Sequence, residues 1–97
     1  MHRSLIERRI VEVTSRLKRA RQDLAALGEQ LGALMEAADE ARIRSLVSET
    51  PLANKEYQEA QRHADALARS RDALVATVST LEQSQDELLG RLTPQSN

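Results

Sequence analysis

The sequence predicts an all-α fold: a two-helix antiparallel coiled-coil hairpin, with two such hairpins pairing into a four-helix assembly. Three observations carry this expectation. The 97 residues are 30% charged, with three Gly, two Pro and one aromatic, the composition of long helices rather than of a thick globular core. Apolar residues recur in alternating steps of four and three in two separate series, the mark of a coiled-coil stripe. The two series also share a single register when the chain is folded back on itself.

The first series runs Ile6, Ile10, Val13, Leu17, Ala20, Leu24, Leu27, Leu31, Leu34, Ala38, Ala41, Ser45, and all but Ser45 are apolar. Ser4, with Glu7 three residues on, has the spacing of a capping box, so the first helix is expected over about 5–47. A turn is expected over about 48–53. Within it, Thr50 followed by Pro51 reads as an N-cap with proline in the first helical position, although a start at Asn54 fits as well.

The second series is Ala53, Tyr57, Ala60, Ala64, Leu67, Arg71, Leu74, Val78, Leu81, Gln85, Leu88, Leu92, with Arg71 and Gln85 its polar members. It places the second helix over about 54–91. Gly90 and then Pro94 mark its end, and residues 93–97 read as a disordered tail. With so short a connection the second helix folds back on the first. Ile6 then faces Leu92, Leu17 faces Leu81, Leu31 faces Leu67 and Ala41 faces Tyr57; each of the twelve pairs of numbers adds to 98. At a rise of ~1.5 Å per residue, arms of roughly forty residues make a hairpin of about 60 Å. Arg71 and Gln85 are expected to set register, Arg71 by reaching to solvent.

Charge is uneven along the chain. Residues 1–22 hold seven Lys/Arg against Glu7 and Glu12, and the rest hold seven basic and thirteen acidic side chains, which gives +5 and −6. Folding back brings the basic stretch toward Glu82, Asp86 and Glu87, a complementarity that fixes orientation. Arg8 and Arg9 nonetheless oppose the dipole of the first helix. With Arg16 and Arg19 they form a candidate basic patch, and Arg9 is expected near Arg91, so part of the patch is left for an acidic partner.

A two-helix seam leaves half of each helix in water, which is marginal for a chain of this size. Residues beside the seam therefore carry information. Ala25, Gly28 and Gly32 share a face of the first helix, where each glycine costs ~1 kcal/mol relative to Ala. Met35, Ala68, Val75 and Leu89 flank the seam. Together these seven residues form the candidate self-association surface, and a homodimer of hairpins is the expected assembly.

Reactive chemistry is not expected. There is no cysteine, so disulfides, thiolate metal sites and a cysteine nucleophile are excluded. His2 and His63 have no metal-ligand spacing around them, no glycine-rich phosphate loop is present, and a two-helix hairpin encloses no pocket to activate its many carboxylates. The expectation is a non-enzymatic protein with no cofactor, no metal and no small-molecule substrate. No stretch approaches the ~18 apolar residues of a membrane span, and the N-terminus lacks the apolar run of a signal peptide. A cytoplasmic location and no membrane partner are expected. Nucleic acid is not an expected partner either, because the basic cluster lacks stacking aromatics or a reading motif.

One short stretch carries a family resemblance. "LANKEYQEA", Leu52 to Ala60, resembles the coiled-coil tip of the Gre transcript-cleavage factors, whose pattern reads roughly D-L-x-E-N-x-E-Y-x-x-A between antiparallel helices. Leu52, Asn54, Glu56, Tyr57 and Ala60 match if one residue is deleted. In that family the hairpin enters the secondary channel of RNA polymerase, and acidic tip residues help hold a catalytic magnesium. Here Pro51 stands in place of one tip acid, the second is missing, and the 97 residues hold no counterpart of the family's globular C-terminal domain. The resemblance thus implies a polymerase-binding hairpin without cleavage activity, with Glu49, Asn54, Glu56 and Tyr57 as candidate tip contacts. The alternative for Tyr57 is a core residue filling space opposite Ala41.

The functional expectation is a scaffold or interaction hairpin that self-associates and offers a face or its tip to a protein partner. The alternative is a transcription regulator that contacts RNA polymerase through the tip.

Overall fold

The computed structural model describes residues 3–92, which form two helices, α1 (Arg3–Ser48) and α2 (Pro51–Leu92), joined by Glu49 and Thr50. The helices pack against each other as an all-α hairpin. The described residues divide into two compact units, a terminal unit of 3–24 with 74–92 and a turn unit, Ala25–Ala73.

Burial follows the expected stripe. In α1 the twelve residues of the first series are buried or half-buried, and every other residue of the helix is exposed. In α2 eleven of the twelve are covered, joined by Ala68 and Ser84 at the stripe's edges, and Arg71 is the exception. The terminal unit buries Ile6, Leu17, Ala20 and Leu88 most deeply. The turn unit buries Leu31, Ala38, Ala41 and Ala64. Small side chains thus fill the layers of the turn unit that lie nearest the connection. Tyr57, half-buried at its seam position, is the exception to these small side chains.

The connection is shorter than the sequence suggests, and the reason is local. Glu49 adopts φ 52°, and its N–H donates to the carbonyl of Ser45 at 3.0 Å, so α1 ends in a left-handed cap without a glycine. Thr50 then caps α2: its Oγ1 accepts from the N–H of Ala53 at 3.2 Å, and its carbonyl accepts from the N–H of Asn54 at 3.1 Å. Pro51 takes the first helical position, where its fixed φ is suited and its missing N–H has no bond to lose. Hence α2 begins at Pro51 rather than Asn54, and the turn is 49–50 rather than 48–53.

The other end also differs. Ser4 lies inside α1 rather than capping it, and the Glu7 carboxylate accepts from Arg3 Nε at 3.0 Å instead of closing a capping box. Gly90 is helical within α2. His2, Pro94 and the tail 93–97 lie outside the described residues.

A non-glycine residue in the left-handed region costs ~1–2 kcal/mol, part of which glycine recovers after its larger unfolded-state entropy is counted. Glu49→Gly is therefore expected to stabilise the hairpin by roughly 0.5–1 kcal/mol. The midpoint of urea unfolding checks this, and an unchanged or lower midpoint contradicts the strained cap.

Candidate functional site

The polar members of the seam behave differently from each other. Gln85, half-buried in the terminal unit, donates from Nε2 to Thr14 Oγ1 on the facing helix at 3.0 Å. An amide in this position favours one register, because a slip leaves it half-buried without a partner. Arg71, in the turn unit, turns outward and pairs with its neighbour Asp72 at 3.1 Å, so it leaves its seam layer to the facing residue.

The basic stretch is only partly neutralised. Arg21 Nη2 meets Glu82 Oε2 across the helices at 2.8 Å, which realises one of the expected cross-helix attractions. Arg16 pairs instead with Glu12 on its own helix at 3.7 Å. Among the described residues, Arg8, Arg9, Lys18 and Arg19 have no ion-pair partner. Arg9 and Arg91 line one open groove of the terminal unit, together with Glu12 and Glu87, so the two guanidiniums share that surface with two carboxylates.

The proposed self-association residues fall in both units. In the turn unit, Ala25, Gly28, Gly32 and Met35 are exposed, whereas Ala68 is half-covered by the hairpin itself. A Cβ built on Gly28 or Gly32 meets nothing within 4 Å, so no contact among the described residues requires a glycine at either place. In the terminal unit, Val75 and Leu89 are exposed.

At the turn, Glu49 and Asn54 line a shallow groove with Ser45, Thr50 and Pro51, and Glu56 is exposed beside it. Apolar residues off the seam are a further feature of this region. Ile43, Leu46 and Val47 lie on the outer face of the last turns of α1, and Val47 is 80% exposed. Leu52, 66% exposed, follows directly after the connection. Their spacing of three and four residues, off the seam, was the available signal.

Among the described residues no three His, Asp or Glu side chains come together as a metal site, and no helix is long and apolar enough to cross a membrane. In comparisons with known proteins, no family model, curated protein or solved structure matches the chain.

The Arg21–Glu82 pair is about half exposed, which limits its value. A double-mutant cycle with Arg21→Ala and Glu82→Ala should give a coupling of no more than about 1 kcal/mol, fading at 1 M salt. A coupling that persists at high salt would mean the pair is far less hydrated than its exposure implies.

Proposed function

We propose that this chain is a non-enzymatic interaction hairpin whose outer faces bind protein, first of all a second copy of itself in a four-helix assembly. The observation that carries the reading is the complete segregation of burial in α1. One stripe is covered, while Val11, Ile43, Leu46, Val47 and Met35 stand in water, as do Leu52, Val75 and Leu89 on α2. Isolated exposed aliphatics need no explanation, but several along one small hairpin indicate contact surface. The exposed glycines support the same reading, since they weaken the helix without serving any close contact among the described residues. Knobs-into-holes packing of the flanks would supply affinity, with charges selecting orientation.

The first test is sedimentation equilibrium over a concentration series, with circular dichroism on the same samples. The unaltered chain is expected to approach twice its 10.8 kDa mass with high helicity. Met35→Glu should abolish association and leave the helical signal of the monomer, and Val75→Glu reads whether α2 takes part in the contact. Association unchanged by both variants would remove these flanks from the interface.

A second reading places the partner at the turn. It is favoured by Glu49, held at φ 52° at the exposed end of the hairpin, because strained backbone tends to persist where a surface is used. In this reading the hairpin contacts RNA polymerase through the turn and regulates it without cleaving transcripts. Glu49→Ala, Asn54→Ala and Glu56→Ala would then reduce binding to purified polymerase at least tenfold while leaving thermal unfolding close to that of the unaltered chain. Absence of binding by the unaltered chain rejects this reading.

A further inference from the structure

The self-association reading leaves open which way two hairpins lie, and the outer flank of α1 answers that question. On the outer side of α1, away from the seam, residues seven apart along this one unbroken helix are Val11, Lys18, Ala25, Gly32, Asp39 and Leu46, and all six are exposed. Val11 and Lys18 belong to the terminal unit and the other four to the turn unit. Reversed, the series is its own complement. Ala25 matches Gly32, Lys18 matches Asp39 and Val11 matches Leu46, and each pair of numbers adds to 57.

We infer that α1 of one chain packs antiparallel against α1 of a second copy along this flank, about a twofold axis that passes beside Gly28. The inference rests on the self-association proposed above and adds its partner surface and orientation. A twofold interface requires that when residue i meets residue j, j also meets i, and the reversed series satisfies this. Small residues occupy the centre, where helix axes must approach to about 8 Å. Gly28 and Gly32 have open space where a Cβ would stand. Val11, 70% exposed, and Leu46, 65% exposed, close the two ends of the contact against each other.

Charge selects this orientation over the parallel one. Neither Lys18 nor Asp39 has an ion-pair partner among the described residues. In antiparallel packing each meets its opposite on the other copy, twice per dimer. A parallel pair would set Lys18 on Lys18 and Asp39 on Asp39. The helix as a whole has the same polarity: residues 3–24 carry seven basic and three acidic side chains, and residues 25–48 carry two basic and four acidic. Reversal places the +4 half of one α1 along the −2 half of the other.

The native chain has no cysteine, so a cysteine introduced at one position is a clean probe of proximity. Under mild oxidation Gly28→Cys should form a disulfide dimer with itself. Val11→Cys alone should not, but mixed with Leu46→Cys it should yield the mixed disulfide, since bridging needs Cα atoms within ~7 Å. In the cysteine-free background, Lys18→Asp should weaken the dimer roughly tenfold or more, and adding Asp39→Lys should restore its dissociation constant to within about threefold. Circular dichroism on each variant confirms that the helices remain.

The outcomes separate the two claims. A monomeric unaltered chain at every concentration overturns both the self-association and this pairing, and assigns the flank to a different protein. A dimer in which Val11→Cys bridges to itself, or in which Asp39→Lys fails to rescue Lys18→Asp, overturns the antiparallel pairing and leaves self-association standing.

Discussion

Everything in this molecule depends on a single narrow apolar stripe. A repeat of three and four residues keeps one side of each helix turned inward and only that side, so two helices satisfy each other and neither gains a second buried face. Leu17, 1% exposed, shows that even two layers of helix can remove a side chain from water, but few positions reach that depth. The stripe also determines what remains outside. Charged residues, glycines and aliphatics alike stand in solvent, uncovered by the other described residues.

The two units meet this constraint with different materials. The terminal unit has larger aliphatics among its most buried residues, a cross-helix amide bond from Gln85 to Thr14 and an ion pair from Arg21 to Glu82. The turn unit buries three alanines beside Leu31 and holds an arginine in its seam series. Each methylene absent from a buried position forgoes ~0.8 kcal/mol, so the turn unit relies more heavily on its connection. The two caps formed by Glu49 and Thr50 bear directly on that need, since they satisfy backbone groups that would otherwise be left unpaired.

Most of the fold was legible in the sequence because the seam is a periodic signal that accumulates over many turns. Twelve residues of α1, from Ile6 to Ser45, were assigned inward, and the same twelve are the covered ones. The helix ends were less legible. Ser4 and Glu7 have capping-box spacing, yet Arg3 competes for the same carboxylate. Thr50 and Pro51 offered the correct start of α2, but Asn54 offered a second one, and only the bond from Ala53 to the Thr50 hydroxyl decides between them. The candidate surfaces were harder still. Ala68 looked free by spacing but is half-covered at the seam's edge, while Ile43, Leu46 and Val47 fall off the seam by spacing yet carry no motif that says what would cover them.

Pro51 has a further role that its place in the first turn of α2 makes possible. Two long helices separated by two residues could, in principle, fuse into one straight helix and exchange arms with a neighbouring molecule, since such swaps need only a short hinge to extend. A continuous helix through this point would drive the proline ring against the carbonyl of Val47 and leave that carbonyl without its helical hydrogen bond, and Thr50 would be pushed out of the helical region by the ring that follows it. The opened form is thereby penalised by ~3 kcal/mol or more, whereas the closed hairpin accommodates the same ring without strain. The residue that starts the second helix is also the one that keeps the chain bent.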